Sequence, residues 1–344
     1  MMSLCDNSQG PLVSVCIANY NGMEMIDDCL RSVLEQEGHI PVEILVHDDA
    51  SSDGSVAYIR NRYPDVRLIE SPENVGFCVA NNRMVAAARG KYLLLLNNDA
   101  ALYPDALQTL LSEAERLNQP AILGLPQYDA TNGKLIDIGS LFDPFLNPVP
   151  NRNPNRNEVG MVIGACQWIP KALWKEFGGF PEWFGSIGED LYLCCRARLT
   201  GYPVRALGIS GYRHWQGKSF GGNRVIDNRL SSTFRRRALS ERNKSYVMVL
   251  AYPAPLFQLI FPLHLALLVL EGAALALIKW ERALFQDIYL ACLMALWQER
   301  GRLFLLRRKI QARRKIGLRQ FWSVFQLVPH KLRMLFRHGL PHLK

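Results

Sequence analysis

Lys91-Tyr92-Leu93-Leu94-Leu95-Leu96-Asn97-Asn98-Asp99 is an unbroken apolar run that ends in two amides and a carboxylate. A strand with no polar alternation is one buried on both faces, as in a parallel α/β sheet, and ligand-facing groups emerge at its carboxyl end. The run predicts a central strand over residues 92–96 with Asp99 at the rim of a crevice.

The flanking sequence repeats the same alphabet. Strand patterns at 12–18, 42–46 and 66–69 alternate with helix patterns at 25–35, 56–62 and 77–89, and a loop at 71–76 precedes the last helix. Such alternation predicts an α/β fold, a mostly parallel doubly wound sheet with right-handed crossovers. Residues 120–215 are less regular. The Pro- and Asn-rich stretch 147–157 reads as a mobile loop, and 191–199 as a helix closed by Gly201.

At 344 residues, 49% hydrophobic and 21% charged, the chain suits one large folded domain plus an appended region, and its composition excludes a disordered protein. The formal charge of +9 is concentrated in residues 300–344, which hold thirteen Lys or Arg and no acid. Those charges alternate with Leu303, Phe304, Leu305, Leu306, Phe321, Trp322, Phe325, Leu335 and Phe336. Interleaving of this kind favours an anionic membrane surface, and no nucleic acid is expected as partner.

Composition changes near Tyr246. Residues 246–278 are largely apolar, broken by Pro253, Pro255 and Pro262 and dotted with Gln258, His264 and Glu271. A spanning helix needs about 20 apolar residues, and 256–278 reaches that length only with those polar groups inside it. The preferred reading is a re-entrant or interfacial helix pair. Eight cysteines with no Cys-x-x-Cys spacing, mostly in apolar surroundings, predict reduced thiols. Residues 1–11 show no secretory pattern, so the catalytic part is expected in the cytoplasm.

Three acidic sites fall at predicted strand ends or a helix start: Asp48-Asp49, Asp99 and Glu189-Asp190. Each alone is ordinary turn or N-cap chemistry. Their order carries more, because Asp48 through Ser55, Asn74-Val75-Gly76-Phe77 with Asn81-Asn82-Arg83, and Asn97-Asn98-Asp99 succeed one another between alternating strands and helices.

With Val13-Ser14-Val15-Cys16-Ile17 and Tyr20-Asn21-Gly22 at one end and His214 at the other, the sequence resembles the family-2 glycosyltransferases. It is most similar to the rhamnosyltransferase-like branch of bacterial surface polysaccharide biosynthesis, which shares Asn-x-Gly-Phe and Leu-Asn-x-Asp. The resemblance implies a GT-A fold and inverting transfer of a sugar from a nucleoside diphosphate donor to a hydroxyl of a glycan or lipid-linked acceptor. It implies donor-binding roles for Asn19, Tyr20, Asp48, Asp49, Asn74, Asn97 and Asn98. It further implies a divalent ion, Mg²⁺ or Mn²⁺, held by Asp99 with His214 nearby, and a general base at Asp190 with Glu189 beside it.

Asn97 replaces the first acid of the usual Asp-x-Asp, leaving one carboxylate for a cation that binds through one or two carboxylates plus phosphate oxygens. Tyr192 stands where the branch often has a second acid. The segment His214 to Ser219 is similar to the family's His-x-x-Gly-x-Ser, with Lys218 either meeting a phosphate or solvated. Gly164-Ala165-Cys166 and the stretch Gly178 to Phe184 match the acceptor side, where Trp168, Trp183 and Phe184 either stack on a sugar or fill the core.

The expected organisation is a catalytic domain over 1–245, with a nucleotide-sugar half (12–125) and an acceptor half (126–245). A helical membrane-associated region follows over 246–344, at the cytoplasmic face of the inner (plasma) membrane. Two other readings stand beside this one. A nucleotidylyltransferase would carry a Gly-rich basic phosphate loop after the first strand, but Ala18-Asn19-Tyr20-Asn21-Gly22 has no basic residue. A non-enzymatic membrane or nucleic-acid binder would use the basic tail and bind no nucleotide sugar.

Overall fold

The alternation from residue 13 produces β1 (Val13–Asn19), α1 (Ile26–Leu34), β2 (Val42–Asp48), α2 (Ser55–Arg62), β3 (Arg67–Glu70), α3 (Phe77–Ala87) and β4 (Tyr92–Asn97). This is a computed structural model, and it describes residues 10–215, 222–226, 229–340 and 342–343. Parallel pairing sets the order β3-β2-β1-β4. Leu93 and Leu95 enter one apolar cluster with Cys16 and Met84; Leu94 and Leu96 enter a second with Val15, Ile17 and Leu30. Because side chains alternate across a strand, covering both faces demands the all-Leu run read in the sequence.

After β4 come β5 (Ala100–Leu102), α4 (Ala106–Arg116), β6 (Ile122–Gly124), β7 (Gln127–Asp129), β8 (Leu135–Asp137), β9 (Ser140–Phe142), β10 (Pro148–Pro150) and β11 (Cys166–Pro170). They are followed by α5 (Lys171–Phe177), α6 (Glu189–Leu199), β12 (Val204–Ala206) and β13 (Tyr212–His214). β11 runs antiparallel between β4 and β6, and β12 closes the mostly parallel sheet. A second sheet, β5-β13-β7-β8, sets His214 opposite Ala100, next in sequence to Asp99. α6 ends as expected: Gly201 has positive φ, and Tyr202 N donates to Ala197 O at 2.9 Å.

Residues 147–157 are not the mobile loop expected. Asn147, Val149 and Asn151 are buried, and β10 pairs with β9. Asn147 donates from its amide to Asp143 Oδ2 at 2.8 Å, and Asn151 Nδ2 donates to the carbonyls of Ile138 and Arg156 at 3.1 Å each. Asn151 satisfies main-chain carbonyls that lack a ladder, which lets irregular chain lie buried.

The expected boundary between 245 and 246 falls inside α7 (Phe234–Ala251), and residues 246–252 belong to the same core cluster as Leu93 and Leu95. α8 (Leu256–Lys279) is one continuous helix rather than a re-entrant pair. The donor that Pro262 lacks would have met residue 258, which is exposed, so the helix passes it near its open start. Only the stripe His264, Leu268, Gly272 and Leu275 of α8 is buried. A π-helical turn (Leu284–Leu290) leads to α9 (Ala291–Gln298), α10 (Arg300–Ala312), α11 (Leu318–Trp322) and α12 (His330–His338).

The basic region is built into the fold. Gln311 Nε2 of α10 donates to Leu250 O at 2.9 Å, and Gln326 N donates to Phe142 O of β9 at 2.7 Å. Glu241, 1% exposed, meets Lys244 at 2.7 Å, Lys331 at 2.7 Å and Arg237 at 3.1 Å. Glu271 of α8 pairs with both Arg237 and Lys331 at 2.6 Å. Burial alone would raise the Glu241 carboxyl, but Lys244, Lys331 and Arg237 hold it well below the usual range. This network ties α7, α8 and α12 together. The seven described cysteines are free and buried, as expected of reduced thiols, while Cys5 lies outside the described residues.

His264 joins α8 to α7 through Ser245 Oγ at 2.8 Å, and burial followed by Lys244 lowers its pKa to about 3. Its folded pKa lies below the unfolded value, so the stability it contributes is full above pH ~6.5 and is lost as pH falls toward 3. Between pH 7 and pH 5 the wild type should lose ~2 kcal/mol more than His264→Gln, which keeps a hydrogen-bonding group for Ser245. Equal losses in urea unfolding would disprove the assignment.

Candidate active site

Asn19, the last residue of β1, is 1% exposed and crosslinks three strand ends. Its Nδ2 donates to Asp48 Oδ1 at 2.8 Å and to Ser55 Oγ at 2.9 Å, while its Oδ1 accepts from Asn98 Nδ2 at 3.0 Å. The following turn lies directly over this bond: a Cβ on Gly22 would sit 2.2 Å from Asn98 Nδ2 and 2.3 Å from Asn19 Oδ1. Met23 N and Ser55 N both donate to Asp53, at 2.8 and 3.1 Å, which closes the two loops on each other.

The two adjacent acids divide their work. Asp48 accepts from Asn19 and from Ser51 N at 2.9 Å, and it does not line the cleft, so its expected place in the donor pocket is corrected to loop support. Asp49 does line the cleft, and its two oxygens accept from Val75 N at 2.7 Å and Gly76 N at 2.9 Å. It fixes the β3–α3 loop carrying Asn74. Tyr20, 47% exposed, forms part of the same wall, as do Asn74, Asn97 and Asn98.

Past β4, Asp99 Oδ1 lies 3.0 Å from His214 Nε2, and both residues are buried. His214 Nδ1 has no hydrogen-bond partner among the described residues. Asp137 of β8 lines the cleft nearby with its pKa pushed up to about 6 by burial. No cluster of three or more His, Cys, Asp or Glu among the described residues is placed to hold a metal by itself. Asp99 and His214 fit a divalent ion as an oxygen and a nitrogen donor, provided phosphate oxygens or water fill its other positions. Residues 216–219, with Lys218, lie outside the described residues.

Glu189 and Asp190 form the first turn of α6, after Gly188 at φ 88°. Asp190 Oδ2 accepts from Gly164 N at 3.0 Å and Oδ1 from Leu191 N at 2.7 Å, whereas Glu189 Oε2 is buried without a partner among the described residues. Burial raises the pKa of both, and Asp190 raises Glu189 further. Two main-chain donors favour the anion at Asp190, while the Glu189 carboxyl is pushed up to about 8, so of the two Glu189 is the more readily protonated. Arg236 of α7, half-buried in the cleft wall, couples electrostatically to both. Asn243 holds the approach to α6: its Nδ2 donates to the carbonyls of Phe184 at 3.1 Å, Ser186 at 3.0 Å and Ile187 at 2.6 Å.

The three aromatic residues expected on the acceptor side do not line the cleft. Trp168 is fully buried and stacks on Tyr92 at 4.9 Å; Phe184 is fully buried against Trp183, Tyr192 and Tyr246. Trp183 is half-buried beside Tyr246 at 5.0 Å. Trp168 and Phe184 are core residues, and Trp183 packs half-buried against that core. Tyr192 is buried as well, its hydroxyl accepting from Arg196 at 3.0 Å. Sequence reasoning missed Asp137, Arg236 and Asn243. The triplet Arg235-Arg236-Arg237 at a helix start was a visible signal for Arg236; nothing local marked the other two.

Residues 14–177 match the family model "Glycosyl transferase family 2". Chondroitin synthase from Escherichia coli is 37% identical over 188 residues, which is 53% of this chain and 26% of that protein. N-acetylglucosaminyl-diphospho-decaprenol L-rhamnosyltransferase from Mycobacterium tuberculosis is 25% identical, over 47% of this chain and 62% of the relative. The chain spans less than two thirds of either relative's length. A mannosyltransferase from Pyrobaculum calidifontis, solved with GDP-Man and Mn²⁺, superposes with a TM-score of 0.52 at 18% identity, covering 86% of this chain and 89% of that one. The likeness carries the fold, an α/β GT-A sheet with a helical C-terminal region.

Removing the Asn19 amide leaves Asp48, Asn98 and Ser55 without their shared partner. Asn19→Ala should destabilise the protein by about 1–3 kcal/mol in urea unfolding, and Gly22→Ala should destabilise it by displacing the same pair. A change within measurement error in both variants would show that the strand ends do not depend on this bond.

Proposed function

We propose that this chain, whose residues 14–177 match the glycosyl transferase family 2 model, moves a sugar, with inversion, from a nucleoside diphosphate donor to a hydroxyl of a glycan or lipid-linked acceptor. The observation that carries this is the meeting of Asp99–His214 and Asp190 in one cleft at the carboxyl ends of β1 and β4, where the strand order switches direction.

Tyr20, Asp49 and Asn74 form the wall for the donor's nucleoside, with the loops held by Asn19 and Asp48. Asp99 and His214 would hold a divalent ion, which when bound neutralises the charge that builds on the departing diphosphate. Asp190 takes the proton of the acceptor hydroxyl as that oxygen attacks the anomeric carbon. The bond from carbon to the donor phosphate oxygen breaks with its electron pair leaving on the nucleoside diphosphate. Main-chain donors from Gly164 and Leu191 aim the Asp190 carboxylate and keep it ionised beside protonated Glu189. Arg236 adds a positive charge that favours that state.

The partition of the proton separates the two acids experimentally. Asp190→Asn should retain nucleoside diphosphate binding and lose roughly 10²–10⁴ in kcat, while Glu189→Gln, which mimics a neutral acid, should lose far less. Because burial raises the Asp190 pKa, the acid limb of kcat should lie above pH ~4. The deciding experiment incubates the protein with Mg²⁺ or Mn²⁺ and a panel of nucleotide sugars, following nucleoside diphosphate release with and without EDTA. Near wild-type turnover in Asp190→Asn would refute the base. Release unaffected by EDTA would refute the metal.

A further inference from the structure

The cleft does not end at the carboxylates. Its volume of about 1680 Å³ exceeds the ~300–1,000 Å³ usual for a single ligand site. From Asp190 it continues past Lys331 to Leu270 and Ile278 of α8 and to Leu332 and Leu335 of α12, all of which are exposed. An active site that opens onto an uncovered leucine surface has room for a long apolar group beside the donor.

The surface continues outside the cleft through Leu263, Leu277 and Phe336, the last two 74% and 87% exposed. On α12, Leu332, Leu335 and Phe336 form one stripe and Arg333 and Arg337 another, with both arginines exposed and at the cleft mouth. Helices with this division lie in a headgroup boundary with the apolar stripe inward and the cations among anionic headgroups.

By length and composition α8 could cross a bilayer. Its place in the fold argues otherwise. Glu271 lies in its second half and is paired with Arg237 and Lys331, which belong to the helices that also wall the active site. A spanning α8 would carry that network and the cleft into hydrocarbon, at several kcal/mol per ionised group. An in-plane α8 keeps its protein-facing stripe, Glu271 included, out of lipid and leaves the outer leucines to it.

We propose that this cleft receives its acceptor laterally from an anionic membrane: a sugar borne on the phosphate or diphosphate of a long-chain lipid. Its hydroxyl stands at Asp190, its phosphate meets Arg333 and Arg337, and its tail lies between α8 and α12. The inference rests on the glycosyltransferase reading and narrows its acceptor. Charge complementarity and continuity with the cleft select a lipid surface over a second copy of the chain as occupant.

The test uses the full chain in flotation with vesicles of phosphatidylcholine alone or with about 30 mol% phosphatidylglycerol. The triple variant Leu263→Ser, Leu277→Ser, Phe336→Ser, whose sites lie outside the cleft, is compared, with nucleoside diphosphate binding measured in parallel. Wild type should float with the anionic vesicles, and the variant should bind them at least about a hundredfold more weakly with nucleotide binding unchanged. A photoreactive polyprenyl phosphate in the same vesicles should label α8 and α12 at the cleft. Failure to float with nucleotide binding intact would overturn this inference and leave the glycosyltransferase reading standing. Labelling confined to other segments, or a dimer in sedimentation that covers the leucine face, would also overturn it. Absence of nucleotide binding by wild type would sink the reading beneath it.

Discussion

A single carboxamide holds the active-site end of the sheet together. Asn19 bonds Asp48 at the end of β2, Ser55 at the start of α2 and Asn98 just past β4, so three strand ends and one helix start share one buried group. An amide suits this place because it donates and accepts at once, which neither a carboxylate nor a hydroxyl does with the same reach. Buried polar networks of this kind are stabilising only when every member is satisfied, and the turn at Gly22 can lie over the pair only because it has no side chain. The positions of Asp49, Tyr20 and Asp99 all follow from it.

The acids of the cleft are differentiated by their neighbours more than by their chemistry. Asp48 and Asp49 are adjacent, yet one serves its own loop and Asn19 while the other clamps the next loop and borders the ligand space. Glu189 and Asp190 are adjacent too. One has no partner at Oε2 among the described residues while the other receives two main-chain N–H groups, and that difference favours the charge on Asp190. Electrostatic division between paired carboxyls is the ordinary way to obtain both an acid and a base from similar groups.

The C-terminal third joins the same logic to a different surface. The cations of α7 and α12 and the acids of α7 and α8 neutralise one another inside the fold, fixing α8 and α12 as walls of the active-site cleft. Fixing them this way leaves an outer face of leucines and an arginine stripe exposed among the described residues.

The mostly parallel α/β class and the location of the crevice were legible from residues 12 to 99, because an all-Leu run between alternating strand and helix patterns admits few other folds. So was the set of acids. The sequence by itself determined the alternating elements up to residue 97 and the acids that stand at their ends, since both depend on local periodicity and on spacing along the chain. Only the tertiary structure decided that Asp48 faces a loop and Asp49 the cleft, that Trp168 and Phe184 are core, and that Asp137, Arg236 and Asn243 belong at the site. Those outcomes depend on contacts between residues tens to more than a hundred positions apart, such as Asn19 with Asn98 or Asp99 with His214. The tail was misread as an appendage for the same reason: its periodicity shows an amphipathic helix, but the buried ion pairs that fasten it to α7 exist only once the chain has folded.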